Sequence, residues 1–219
     1  MAFISNYKSL NTFIVLVLFF FSTVEAQGFY PDRHYKILEN PTATTDPTKV
    51  EVVEVFWLAC NHCYAFERHI DAWKKELPDY AVFSKSPVVS GFHSSAQTHA
   101  RLFYSAKALG MEEEIVKAAF SAIHREGRLL AGTTELEYFF QGFGIPREKY
   151  KSVSESFGVE NSIRQADQRA KKWEIRGVPT VIVNGKYQVS TTRQIGLDKV
   201  LEIVDYLIQK EKRFLTSSP

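Results

Sequence analysis

Glu54-Val55-Phe56-Trp57-Leu58-Ala59-Cys60-Asn61-His62-Cys63-Tyr64-Ala65-Phe66-Glu67 holds both cysteines of this 219-residue chain. A run of β-formers from Val50 to Leu58 precedes Cys60, and a helical pattern with Phe66, Ile70, Trp73 and Leu77 on one face follows it. Cys60 is therefore predicted at a helix N-terminus. There the unpaired N–H groups and the positive end of the helix dipole favour a thiolate over a thiol. A Cys-x-x-Cys beside a strand–helix unit reads as a thiol–disulfide redox motif.

Outward from this stretch, the strand of residues 49–58 is apolar on both faces apart from Glu51 and Glu54, which suggests a parallel sheet covered on both sides. The helix is expected to stop at Leu77, because Pro78 disfavours an α conformation in the residue before it. Residues 80–89 supply the next strand, giving one right-handed β-α-β crossover. Upstream, His34 to Leu38 is a short strand candidate, and residues 40–48, with Pro41 and Pro47, are a loop.

From Gly91 to Gly177 the apolar period is helical. Ser94 or Ser95 is the expected cap of a segment with Leu102, Phe103, Ala106 and Leu109 inward, closed by Gly110. Ile115, Val116, Ala119, Phe120 and Ile123 form a second face, and Leu136, Phe139, Phe140 and Phe143 a third. Pro146 opens a fourth with Tyr150, Val153 and Phe157, ended by Gly158, and Ile163, Ala166, Ala170 and Trp173 form a fifth. Aromatic residues at helical spacing read as core rather than as a ligand box. Strand signals return at Thr180 to Val183 and Lys186 to Ser190, joined by Asn184-Gly185, the pair that a type I′ hairpin turn requires. A last amphipathic helix carries Leu197, Val200, Leu201, Val204, Leu207 and Ile208. The fold class is α/β: a sheet domain over 27–90 and 178–219, interrupted by a helical insertion over 91–177.

Residues 1–26 read as a cleaved signal peptide. Lys8 precedes the nine-residue apolar run Phe13 to Phe21, and Val24 and Ala26 supply small residues for cleavage after Ala26. Nine residues are too few to span a bilayer, which needs about 20. The remaining 193 residues keep the net charge of +2, which is no signature of polyanion binding. Two cysteines in an exported protein are usually a staple. A loop of four residues gains little from closure, however, so the pair reads as reactive. Two thiolates make half a zinc set with no second pair to complete it, and Tyr64 stands where c-type haem attachment needs His. No metal and no cofactor is expected.

Taken together, Val53-Glu54-Val55-Phe56, the Cys60-x-His62-Cys63-Tyr64 motif with Phe66 and Glu67, the helical insertion, and Gly177-Val178-Pro179-Thr180 before the Val183-Asn-Gly-Lys-Tyr187 hairpin resemble the DsbA family of periplasmic thiol–disulfide oxidases. The resemblance covers essentially the whole mature chain. It implies a thioredoxin fold with an inserted helical domain, a catalytic Cys60–Cys63 disulfide, and a cis-proline loop at Val178-Pro179 packed beside it as part of the substrate site. From the residues alone, that proline is only a strand start. Asn61 departs from the family, whose best-studied members have Pro there, and Phe56-Trp57-Leu58-Ala59 varies from the usual approach to the motif.

What the resemblance further implies is an exported oxidase. Substrate thiols attack the exposed sulfur of Cys60 to give a mixed disulfide, Cys63 is the buried resolving thiol, and a membrane quinone-linked, DsbB-like partner restores the disulfide. The expected substrates are unfolded or partly folded exported proteins with free cysteines, the compartment is the periplasm, and the protein is expected to be a monomer that binds no nucleic acid. A helix terminus contributes at most about 2 kcal/mol to a thiolate, so a further source is expected, and His62 is the nearest, as a donor or a cation. His69, His93, His99 and His124 lack such a setting and read as structural or surface residues. Glu54, in an otherwise buried strand, and Glu67, one turn beyond Cys63, are candidates for a proton relay to Cys63 with Lys85 holding their pKa values in range. The other reading of Glu67 and Lys85 is as solvated charges. A reductase or isomerase, and a peptide-binding chaperone with incidental cysteines, are the alternative functions.

Overall fold

The computed structural model describes residues 28–91 and 93–215, so the expected signal peptide lies outside the described residues. The elements in chain order are β1 (Lys36–Ile37), β2 (Val50–Phe56), α1 (Asn61–Trp73), β3 (Ala81–Pro87), α2 (Ala96–Ala108), α3 (Glu112–His124), α4 (Thr133–Gln141), α5 (Arg147–Ser154), α6 (Phe157–Lys172), β4 (Thr180–Val183), β5 (Tyr187–Ser190) and α7 (Leu197–Leu215). Five strands form one sheet in the order β1-β5-β4-β2-β3. The β2–β3 pair is parallel, with Glu54 opposite Lys85, while β4 and β5 run antiparallel to their neighbours. The sheet is therefore mixed, not parallel as the apolar character of β2 suggests. That character reports only that both faces are covered, which is so here. Val50 and Val52 pack with Phe66 and Ile70 of α1 and with α7, whereas Val53 and Val55 pack on the other side with Ala96 and Trp173.

The Asn184-Gly185 turn forms as its sequence requires, with φ of 52° and 62°. Gly185 is needed for a second reason, since a Cβ there would sit 2.2 Å from the carbonyl oxygen of Thr42. α1 gives way after Trp73 to a 3₁₀ turn over Lys74–Glu76, and Leu77 is already extended before Pro78. Only Lys36 and Ile37 of the first strand candidate pair with β5.

Helices α2 to α6 all fall between β3 and β4 and enclose an aromatic core with Phe103, Phe120, Phe140 and Tyr150, into which Phe56, Leu58 and Cys63 project from the sheet side. Ser95 is the N-cap of α2, though its hydroxyl makes no capping bond and lies 3.3 Å from His93 Nδ1. Two local expectations are corrected. Pro146 is the residue before α5 rather than inside it. Phe157 is 79% exposed and begins α6, whose cap is Ser156, so Gly158 lies within a helix instead of ending one. Among the described residues no helix is long and apolar enough to cross a membrane.

Candidate active site

β2 ends at Phe56, and the chain makes one turn, closed by a 3.0 Å bond from the Cys60 N–H to the Trp57 carbonyl, before α1 begins. Cys60 is the N-cap. Its sulfur accepts the Cys63 backbone N–H at 3.3 Å and lies 3.5 Å from the Val178 carbonyl oxygen, to which the thiol donates. Val178-Pro179 is a cis peptide, so the proline loop expected beside the motif is there. Both cysteines are free thiols, Cys60 partly exposed and Cys63 fully buried.

These positions separate the two sulfurs chemically. The Cys63 thiol, the Cys63 and His62 backbone N–H groups and the His62 charge outweigh burial and bring the Cys60 pKa down to about 6. Burial, the bond it donates to Cys60 and the charge of Glu54 push the Cys63 thiol far above its ordinary value. Near neutral pH the thiolate is favoured at Cys60 and the thiol at Cys63, and the bond to the Val178 carbonyl belongs to the protonated form of Cys60.

Beneath the motif lies the charged group expected from β2, α1 and β3. Lys85 bonds both Glu54 Oε2 and Glu67 Oε1, and its ammonium lies 5.0 Å from the Phe56 ring centroid. Glu54 is fully buried, Lys85 nearly so, and Glu67 is the most exposed of the three, so the reading of Glu67 and Lys85 as solvated charges does not hold. Burial raises the Glu54 carboxyl to about 7 against the pull of Lys85, with the Glu67 charge adding to the rise. Burial pulls the Lys85 ammonium down, but the two carboxylates outweigh it and hold it above its ordinary range. Glu54 Oε1 is buried with no hydrogen-bond partner among the described residues.

His62 bears on the Cys60 sulfur through its backbone N–H and its charge. It is exposed, and its ring makes no hydrogen bond among the described residues. Its backbone N–H lowers the Cys60 pKa more than its charge does. The strongest donors at the sulfur come from Cys63, by side chain and backbone, with the His62 backbone N–H beside them. Sequence reasoning also set His124 aside, yet its ring lies on the motif, stacked on Tyr64. No sequence signal marks it, because sixty residues of chain and the whole of α2 separate the two partners.

A family model described as a DSBA-like thioredoxin domain matches residues 81–202. The thiol:disulfide interchange protein DsbA of Pseudomonas aeruginosa strain PAO1 is 34% identical over 203 residues, 93% of this chain and 95% of that one. The chain belongs to the DsbA family. The DsbA of Azotobacter vinelandii is 36% identical over 180 residues, 82% of this chain and 83% of its own. The crystal structure of P. aeruginosa DsbA superposes with a TM-score of 0.81 at 34% identity, covering 88% of this chain and 99% of the other. That of the oxidoreductase DsbA from Xylella fastidiosa gives 0.78 at 28%, covering 84% and 98%. The fold is accordingly the DsbA one, a thioredoxin fold with inserted helices. The matched span of the family model begins after the cysteines, so the motif itself rests on the full-length relatives and on the geometry above.

Proposed function

We propose that this chain is an exported thiol:disulfide oxidoreductase that donates a Cys60–Cys63 disulfide to substrate proteins. The observation that carries the reading is the asymmetry of the two sulfurs, one ionised near pH 6 and partly exposed, the other buried and held protonated. A substrate thiolate attacks Cys60, the Cys60–Cys63 bond breaks, and Cys63 leaves with the electron pair and takes up a proton. A second substrate thiolate then attacks the substrate sulfur of the mixed disulfide, and Cys60 leaves as a thiolate. The substrate dithiol is oxidised by two electrons and the Cys60–Cys63 disulfide is reduced.

In this reading Glu54, titrating near neutrality, supplies the proton that Cys63 needs, and Lys85 and Glu67 keep it in that range. Cis-Pro179 and the Val178 carbonyl form the wall against which the substrate chain lies. Residues 1–26 direct export to the periplasm and are removed, the sheet domain is divided at about residues 91 and 177, and a DsbB-like membrane partner restores the disulfide. The exported substrates are unfolded or partly folded proteins with free thiols.

Equilibration of the purified protein with a glutathione redox series tests the direction of the reaction. The expected result is a potential well above that of thioredoxin, about −270 mV. A value near that of thioredoxin would make the protein a reductase. Replacing Cys60 by Ser should abolish oxidation of a reduced substrate, and a variant that still assists refolding as well as the parent would favour the chaperone.

A further inference from the structure

His124 ends α3 in the helical layer, yet its imidazole reaches the loop and helix that present Cys60. Its Nε2 is 2.7 Å from the Leu58 carbonyl oxygen, and its Nδ1 is 3.0 Å from Asn61 Oδ1. The ring stacks on Tyr64 with centroids 4.7 Å apart and planes 3° apart, and Phe120 of its own helix flanks it at 6.0 Å. Leu58 lies two residues before Cys60 and Asn61 one residue after it, so the ring brackets the nucleophile.

The chemistry of the two contacts differs. A carbonyl only accepts, so Nε2 carries a hydrogen and donates it. The Asn61 amide can present either its oxygen or, turned over, its NH₂, so it complements Nδ1 with or without a proton. The bracket therefore holds in either charge state of the ring.

The N–H groups of His62 and Cys63 that face the Cys60 sulfur belong to the first turn of α1, which Asn61 opens. The sulfur itself is carried by the turn that contains Leu58. Hydrogen bonds weaken steeply once the angle or distance is lost, so their strength depends on how turn and helix are held together. We infer that His124 is a positioning residue that clamps the Leu58 turn to the first turn of α1 and so fixes the backbone N–H groups against the Cys60 sulfur. The clamp makes the helical insertion part of the thiol's environment, and Asn61 is its second jaw.

The inference rests on Cys60 as the reactive thiol, and not on the direction in which the protein runs. The test is a pH titration of the thiolate absorbance of reduced protein, with the glutathione equilibrium measured alongside. His124→Leu should raise the Cys60 pKa by roughly half a unit to one unit, and lower the oxidising ratio at pH 7 by about threefold or more. Asn61→Ala should give a smaller shift in the same direction. The double variant should match His124→Leu rather than the sum, because both changes open one clamp. His124→Gln, which keeps a donor for Leu58, should fall between wild type and His124→Leu. An unmoved titration in folded His124→Leu, or additive shifts, would overturn the proposal. Should His124→Leu not fold, Asn61→Ala and His124→Gln decide, and neither moving the titration overturns it equally. A failed oxidase reading would show separately, in the wild-type glutathione equilibrium, and leaves the titration intact.

Discussion

Two buried glutamates, Glu54 in β2 and Glu211 in α7, each face a lysine, and they end in opposite states. Glu211 accepts from Asn184 Nδ2 at 2.5 Å, Lys186 Nζ at 2.6 Å and the Tyr187 hydroxyl at 3.0 Å, so both of its oxygens are met. Burial pushes its carboxyl up, but the bonds from Lys186, Asn184 and Tyr187 outweigh that and hold it below the ordinary value. Glu54 has Lys85 on one oxygen and, among the described residues, no partner on the other, and burial prevails. Depth and a neighbouring cation are common to both sites. What separates a latch that pins a hairpin to a helix from a group that holds a proton near neutrality is the number of donors at the carboxylate.

The hardest test of this contrast is to remove each lysine. Lys85→Met should cost about 3–5 kcal/mol at pH 8, because it leaves a buried carboxylate unpaired, and less at pH 5, where Glu54 takes a proton. Lys186→Met should cost about 1 kcal/mol or less, since Lys186 is 42% exposed and two other donors remain on Glu211. Denaturant melts measure both, and equal losses would break the comparison.

The glutamates themselves give a test of sign. The lowered pKa of Glu211 makes its contribution fully present above the unfolded value, near 4.5, and lost as pH falls through the folded value. Glu211→Gln should therefore cost about 1.5–3 kcal/mol at pH 7 and progressively less in acid. The raised pKa of Glu54 makes its contribution fully present below 4.5 and lost as pH rises through about 7. Glu54→Gln should look better against wild type at pH 8 than at pH 5. Stability curves with parallel slopes would show that donor count is not what divides the two sites.

The smallest effect extends the contrast to sulfur, where donors outweigh burial at Cys60 and burial prevails at Cys63. The depressed Cys60 pKa gives the reduced form stability that is full above the unfolded value, about 8.5, and lost as pH falls through about 6. Allowing for solvent around a partly exposed sulfur, reduction should stabilise the fold on the order of 1 kcal/mol at pH 7, and this should vanish towards pH 5. Melts of the two redox forms check it. An oxidised form that is the more stable at pH 7 would remove the thiolate argument.

The parts that were legible in the sequence are those whose cause is local. The strand into Cys60, the helix behind it, the Asn184-Gly185 turn and the amphipathic α7 each follow from a few neighbouring residues, and the pairing of Lys85 with Glu54 follows from the register of one crossover. The antiparallel entry of β4 beside β2 was hidden, since an apolar strand looks the same whichever way its neighbour runs. Phe157 matched the core period and is exposed because the chain breaks at Ser156 and restarts the helix around it. His62 drew attention by standing inside the motif, whereas the imidazole that touches the motif's neighbours comes from α3. The unmet oxygen of Glu54 was beyond reach for the same reason, as it is the outcome of every side chain packed above β2.

During synthesis the chain makes β2 early, while its partner β4 arrives only after α2 to α6 have been completed. Until then β2 offers an open row of N–H and C=O groups flanked by Val52, Val53, Val55 and Phe56, which is the kind of edge on which chains aggregate. Glu54 sits in the middle of that row, and in the unburied chain it carries its full negative charge at neutral pH. An ionised side chain at the centre of an open strand opposes pairing with a second copy. Once β4 docks and the site closes, the same carboxyl is pushed towards protonation. The charge that opposes self-association in the open strand is thus about half withdrawn, at neutral pH, by the folding that buries it.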